Sequence, residues 1–242
     1  MLGAAFWGFV AASALLVGAL VGAFWRAPGR PLGIIAGFGA GALVSALAFD
    51  LTREAYDRAG GTGVTIGLLA GAAAFYVGDL LLTLRGAGER KRSGGQMAGA
   101  AGSALLLGAL LDGIPESVAL GATLLDGGEV GLAFVAAVFI SNFPEALSSS
   151  TGMRRAGHTR AGILGTWAAV VAVSALASAL GYGLLDGVSP GVLAFVQAFA
   201  AGAILCMLAD TLFPEAYEEA GPLVGLVTAL GFAAAFALSA AD

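Results

Sequence analysis

Two segments of the sequence carry a proline–glutamate pair inside a long apolar run. One reads Leu111-Asp-Gly-Ile-Pro-Glu-Ser117 and the other reads Ile140-Ser-Asn-Phe-Pro-Glu-Ala146. A proline inside a helix removes one backbone hydrogen bond, so the carbonyls of Leu111 and Ile140 should lose their usual donors. In an apolar environment such carbonyls need a partner or a polar cavity. Carbonyl groups beside a carboxylate provide the oxygen ligands that hard metal cations prefer.

Other polar residues lie at helical spacing from these two glutamates. Asp112 and Glu116 are four residues apart, so they share one helix face. Ser141, Asn142 and Glu145 share a face of the second helix for the same reason. If the two faces meet, they offer three carboxylates, an amide and a hydroxyl to a bound ion. Burying each carboxylate costs several kcal/mol unless its charge is compensated.

The compensating charge does not come from basic side chains of the same runs. Residues 97–124 and 130–150 contain no lysine, arginine or histidine. A divalent cation matches both the charge and the ligand type of the acidic groups. In the alternative interpretation the acids are protonated and only hydrogen-bond between helices. Because acids inside membranes cluster along ion pathways, the paired motifs favour a divalent metal site.

The composition is that of a membrane protein. The chain has 242 residues, of which 59% are hydrophobic and 11% charged, and its mean hydropathy is +0.92. These values exclude an ordinary soluble domain. The apolar runs have the length of membrane-crossing helices, which predicts an all-α polytopic protein with a single transmembrane domain over residues 1–242. Eight spans are predicted, near residues 4–25, 31–53, 62–84, 97–124, 130–150, 161–183, 190–212 and 222–240.

The basic residues predict the orientation of these spans. Nine of the eleven lie in connections that fall on one side: Arg26, Arg30, Arg85, Arg90, Lys91, Arg92, Arg154, Arg155 and Arg160. An excess of basic residues marks the cytoplasmic side. Both termini should therefore lie on the opposite, outer side of a cell (inner) membrane. The expected partners are the lipid bilayer and a divalent metal, with no nucleic acid. Stripes of small residues would also permit a homodimer, although they serve packing within one chain equally well.

A segment that ends the second span recurs at the end of the seventh. Residues 47–60 and 208–221 share a tail of the form Glu-Ala-Tyr-acid-x-Ala-Gly at a fixed offset. Because the second span runs outward and the seventh inward, the repeat is inverted. It relates residues 1–84 to residues 161–242 around central helices at 97–150, a 3+2+3 arrangement typical of secondary transporters. The repeat places Asp50 and Glu54 toward the outside and Asp210 and Glu215 toward the inside, as further candidate metal ligands.

With these motifs the chain resembles the Zrt/Irt-like protein (ZIP) family of metal transporters. The resemblance covers nearly the whole chain: eight spans, outside termini, the 3+2+3 arrangement and Pro-Glu motifs in spans four and five. In the family pattern His-Asn-x-Pro-Glu-Gly, the histidine falls on Asp112, the asparagine on Gly113 and the glutamate on Glu116. In span five, the ligand before Phe-Pro-Glu falls on Asn142 and the glutamate on Glu145.

The resemblance implies uptake of a divalent metal toward the cytoplasm by alternating access, with no cofactor besides the transported ion and no enzymatic activity. Zinc is the family default. An all-oxygen site suits harder ions such as Mn²⁺ or Mg²⁺ better than an imidazole site does, and Fe²⁺ and Cd²⁺ are further candidates.

Two other functions remain open from the sequence. The absence of the family histidine and asparagine motivates a membrane protein that binds or senses metal without transporting it. An intramembrane hydrolase ranks far behind, because the sequence has no Glu-Glu-x-x-x-Arg, His-Glu-x-x-His or Gly-x-Ser-x-Gly motif. The sole histidine, His158, falls in a predicted loop.

Overall fold

The computed structural model describes residues 1–25, 29–84, 102–125 and 131–241, without the side chains of residues 102–105. This part of the chain is all helical. Its α-helices are α1 Leu2–Phe24, α2 Gly29–Ala46, α3 Arg53–Leu82, α4 Gly102–Thr123, α5 Leu132–Arg155, α6 Arg160–Leu185, α7 Pro190–Met207, α8 Phe213–Ala220 and α9 Leu223–Ser239. Among the residues used to predict the orientation, Arg26, Arg85, Arg90, Lys91 and Arg92 lie outside the described residues.

Two helices continue directly into a wider π-helical segment. Leu47–Thr52 follows α2 and leads into α3, and Leu208–Leu212 follows α7 and leads into α8. Each of the following helices then meets a glycine with positive φ. Gly60 inside α3 has φ 70° and ψ 176°, and Gly221 after α8 has φ 64° and ψ −150°. Glycine adopts this conformation without a steric penalty, so the helical direction changes at both positions.

Six helical runs are long and apolar enough to cross a membrane: Leu2–Phe24, Gly29–Leu82, Leu106–Thr123, Leu132–Arg155, Arg160–Leu185 and Pro190–Ala220. The apolar helix Leu223–Ser239 is shorter, with 17 residues. At 54 residues, Gly29–Leu82 would measure about 80 Å if straight, and the non-helical Gly60 divides it. The structure is therefore that of a multi-pass helical membrane protein, and the count of eight spans stays a prediction.

Alanine occupies many of the buried positions, and many large apolar side chains face outward. Fully buried positions include Ala14, Ala19, Ala40, Ala119 and Ala198. Exposed positions include Phe6, Phe9, Leu69, Leu176, Leu180, Leu184, Leu226 and Leu230. A soluble protein would bury such leucines and phenylalanines. In a bilayer they face lipid while small residues let the helices approach closely.

The main helix contacts join elements far apart in sequence. The helix α1 packs against α5 and α6, α2 against α5 and α9, α3 against α7, and α4 against α6 and α7. Several of these pairs touch backbone to backbone, α2 with α9 and α3 with α7 among them. A Cβ atom at any of four glycines would meet a carbonyl group of the facing helix: Gly41 at Thr228, Gly231 at Phe38, Gly71 at Phe199 and Gly202 at Leu68.

Replacing one of these glycines by alanine should destabilise the protein. In Gly202→Ala the added methyl group meets the Leu68 backbone, which cannot yield as a flexible side chain would. Overpacking of this kind costs about 1–3 kcal/mol. We expect a lower midpoint of thermal unfolding in detergent for Gly202→Ala and for Gly41→Ala. Gly165→Ala is the matched control, because nothing lies within 4 Å of a Cβ there. Equal midpoints in all three variants would contradict the close contact.

Candidate metal site

The second Pro-Glu segment lies in the middle of α5 and is held between α1 and α2. Pro144 is buried, and α5 continues as a helix on both sides of it. Gly18 of α1 faces the Phe143 carbonyl, and a Cβ at Gly39 of α2 would lie 3.0 Å from the Ser141 backbone. Small residues on both neighbours therefore allow the helix that carries Glu145 to sit against their backbones.

The two polar residues before this proline are buried and already engaged. The Ser141 hydroxyl donates to the Val138 carbonyl at 2.9 Å, within α5. The Asn142 amide nitrogen donates to the Ala11 carbonyl of α1 at 3.2 Å. This bond ties α5 to α1 and directs the amide nitrogen away from any cation. The Asn142 side-chain oxygen is the atom that could coordinate a metal.

The first Pro-Glu segment lies in α4, in a different packing environment. Asp112 and Glu116 are 2% and 4% exposed, so both carboxyl groups are withdrawn from the surface. The Ser117 hydroxyl donates to the Gly113 carbonyl at 2.7 Å, four residues earlier on the helix that contains Pro115. Because α4 packs mainly on α6 and α7, its contact with α5 is small. The backbones of α4 and α5 therefore approach each other at few positions.

Two carboxylates of the predicted set, Glu145 and Glu215, line one cleft. Glu145 lines this small open cleft together with Glu215 and Glu219 of α8. Pro144 and Ser148 of α5 lie in the same wall. Three acidic side chains around a water-accessible space attract cations. The cleft thus connects the α5 Pro-Glu motif with the acidic end of the repeat.

Glu219 belongs to this site, although the sequence analysis did not select it. Its carboxylate lies against Gly29, the first residue of α2. A helix N-terminus favours a nearby negative charge, so this contact helps to keep the side chain at the cleft. The available sequence signal was the four-residue spacing of Glu215 and Glu219, which places both on one face of α8.

The remaining predicted ligands lie away from this cleft. Asp50 accepts a hydrogen bond from the Ser239 hydroxyl at 2.7 Å. Glu54 accepts one from the Gln197 amide at 3.2 Å. Asp210 is exposed and lies 3.5 Å from the Cys206 thiol. The placement of Asp210 and Glu215 toward the same side stays a prediction.

Within the described ranges, no group of three His, Cys, Asp or Glu side chains lies close enough together to hold a metal ion. The ligand set predicted from α4 and α5 thus stays a prediction. The geometry provides an acidic cleft that can collect cations and buried carboxyl groups deeper in the helices that could receive them.

No family model matches the chain. The chain is similar to a proposed zinc transporter of Arabidopsis thaliana, with 27% identity over 193 residues. The match covers 78% of this chain and 30% of the plant protein, so the chain spans less than a third of the length of that relative. The similarity nonetheless extends over most of the helices described above.

Loss of a cleft carboxylate should weaken the binding of divalent cations to the detergent-solubilised protein. We expect Glu215→Gln and Glu219→Gln each to raise the dissociation constant of Mn²⁺ or Zn²⁺ by about tenfold, which corresponds to about 1.4 kcal/mol. Isothermal titration calorimetry measures the change. Glu218→Gln is the control, because Glu218 is exposed on the same helix and does not line the cleft. An equal loss of affinity in the control would refute a role for the cleft itself.

Proposed function

We propose that the chain transports a divalent metal cation across a cell (inner) membrane toward the cytoplasm. Zinc is the first candidate, because the Arabidopsis relative is named as a proposed zinc transporter. Mn²⁺, Fe²⁺ and Cd²⁺ are alternatives, because oxygen ligands of the α4 and α5 faces also suit harder ions. A multi-pass helical protein with buried carboxyl groups and an acidic cleft has the parts that such a function needs.

The observation that carries the proposal is a repeated irregularity of the backbone. The π-helical segments begin at Leu47 and Leu208, and the positive-φ glycines are Gly60 and Gly221. Both pairs are related by the same offset that relates the two Glu-Ala-Tyr tails. Two stretches of chain therefore share a rare backbone shape as well as a sequence. Because π-helical segments are frequent at functional sites, the repeat points to two related sites, one in each half.

The helix contacts follow the same relationship. Exchanging α1 with α6, α2 with α7, α3 with α9 and α4 with α5 turns one set of contacts into the other. The α3–α7 pair becomes the α9–α2 pair, and the α1–α5 pair becomes the α6–α4 pair. This pattern supports the inverted 3+2+3 arrangement, which in other secondary transporters surrounds a central substrate site.

In this mechanism the two ends of the repeat open in alternation around the central helices. A cation would enter on the side of Asp50 and Glu54 and reach the faces formed by Asp112, Glu116, Ser141, Asn142 and Glu145. It would leave through the cleft that Glu145 shares with Glu215 and Glu219. Glu145 belongs to both the central face and the cleft. It is therefore the residue that would bind the ion during its transfer from the central face to the cleft.

Reporter fusions test the span count on which this mechanism depends. Eight spans with both termini outside place Gly60 and the C-terminus outside the cytoplasm and Gly157 inside. Alkaline phosphatase fused after Gly60 or after Asp242 should therefore be active, and the same enzyme fused after Gly157 should be inactive. If Gly29–Leu82 crossed the membrane only once, the Gly157 fusion would be active instead.

Uptake by reconstituted liposomes tests the function directly. The unmodified protein should accumulate at least one of Zn²⁺, Mn²⁺, Fe²⁺, Cd²⁺ and Mg²⁺. The double variant Glu116→Ala/Glu145→Ala should reduce this flux to the level of empty liposomes, because it removes a carboxylate from each central helix. Glu218→Gln should retain the flux, and gel filtration should give the same single peak for all three proteins.

Two outcomes would contradict the proposal. Equal uptake by the double variant would exclude the Pro-Glu helices as the pathway. Metal binding without flux in the unmodified protein would favour the sensing function instead.

A further inference from the structure

A second polar cluster joins α3 to α7, at positions that the inverted repeat relates to those of the acidic cleft. The Gln197 amide nitrogen donates to Glu54 Oε2 at 3.2 Å, and its oxygen accepts from Arg58 Nη1 at 3.4 Å. Arg58 Nη2 lies 3.8 Å from the same Glu54 oxygen. Gln197 is fully buried. Glu54, Arg58 and Gln197 form a closed ring of contacts, named here the Arg58 latch.

The repeat places this latch at the positions that line the cleft in the other half. At the fixed offset between the repeats, Glu54 corresponds to Glu215, Arg58 to Glu219, and Gln197 to Ala36. Ala36, Glu215 and Glu219 are all cleft-lining residues. At these three positions the α3–α7 cluster holds a carboxylate that is paired with an arginine and bridged by an amide. The cleft holds two carboxylates and a methyl group around an open space.

We propose, on the basis of the transport function above, that Arg58 is a built-in competitor for the transported cation. Its guanidinium pairs with the Glu54 carboxylate. Through its hydrogen bond to Gln197 it also holds α3 against α7. A divalent cation that arrives on this side must displace the guanidinium from Glu54 before α3 and α7 can separate at this end, beyond their close contacts at Gly71 and Gly202. Arg58 therefore sets both the opening of this side and the cation concentration at which it opens.

The chemistry of the latch suits this role. Arginine stays protonated throughout the physiological pH range and can contact a carboxylate and an amide together. A monovalent guanidinium neutralises one carboxylate, so a divalent ion with the same contact carries twice the charge to the site. Because Arg58 and Glu54 retain 21% and 37% of their side-chain exposure, ions from solution can reach the pair.

A second ion pair on the same helix provides the comparison. Arg53 lies 4.0 Å from Asp57, with the same four-residue spacing, but the two side chains are 71% and 66% exposed. Exposed pairs of this kind contribute little to stability. Arg53→Gln thus changes the charge of α3 by the same amount as Arg58→Gln without touching Gln197 or α7.

The first measurement is the concentration dependence of Zn²⁺ and Mn²⁺ uptake in liposomes. Arg58→Gln should lower KM about fivefold or more with a smaller change in maximal rate, because the ion no longer competes with the guanidinium. Arg58→Lys keeps the charge and should restore a KM near that of the unmodified protein. Arg53→Gln should leave KM unchanged. An unchanged or raised KM in Arg58→Gln would overturn the proposal.

The second measurement does not depend on transport. Ala194 is buried between α7 and α3, close to Ala55 and Val64. In a Cys206→Ser background, a cysteine at position 194 reports the separation of these helices through its rate of reaction with a water-soluble maleimide. Arg58→Gln should raise this rate about tenfold, and Zn²⁺ should raise it in the protein that retains Arg58. Arg53→Gln should not change it.

A labelling rate unaffected by Arg58→Gln would refute the latch. If Arg58→Gln does not fold, Gln197→Ala makes the same test, because it installs the residue of the other half. A raised labelling rate in a protein without metal flux would retain the latch and reject the transport function, so the two failures are distinguishable.

Discussion

A carboxylate buried in hydrocarbon must have its charge compensated, and the polar interior of this protein is organised around that requirement. The structure meets it in three ways. The Arg58 guanidinium pairs with the Glu54 carboxylate, and the Gln197 amide donates a hydrogen bond to it. The Ser239 hydroxyl donates to Asp50. An open cleft gives Glu145 access to water and ions. Asp112 and Glu116 are the least exposed acidic side chains of the described residues, on a helix whose apolar run has no basic residue.

The glycine contacts make this polar interior compatible with a thin helical bundle. At Gly41, Gly71, Gly202 and Gly231 the facing carbonyl groups occupy the space of a side chain, so the helix axes are as close as backbones allow. Two helix pairs, α2 with α9 and α3 with α7, are thereby held closely together at these four positions.

The sequence predicted the helices well and their neighbours poorly. Apolar runs and polar connections place α1, α6 and α9 within two residues of their observed ends, because lipid imposes a length on each segment. The Pro-Glu motif selected Glu145 as a metal ligand, which stays a prediction, and the structure places it in one cleft with Glu215 and Glu219. The sequence did not predict that α5 would pack on α1 and α2 rather than mainly on α4, since spacing defines a helix face but not its partner.

Gln197 and the π-helical segments were missed for a related reason. Gln197 is one polar residue within an apolar run, and its role appears only when Glu54 and Arg58 arrive from a distant part of the chain. The π-helical segments have no sequence signature that separates them from ordinary α-helix. The repeated tail carried part of that information, because it fixed Gly60 and Gly221 as equivalent positions. Only the three-dimensional backbone reveals that the equivalence extends to the wide turns before them.

Each wide turn also acts as a spacer that sets an angle. A π-helical turn accommodates an extra residue relative to an α-helical one, and one residue corresponds to about 100° of rotation about an α-helix axis. Without the spacer at Leu47–Thr52, Glu54 would point to a different neighbour than Gln197. Without the spacer at Leu208–Leu212, Glu215 would leave the wall that faces Glu145. The direction of both acids is thus encoded in the number of residues before them, and deleting a single residue there would reorient a carboxylate while every other residue stays the same.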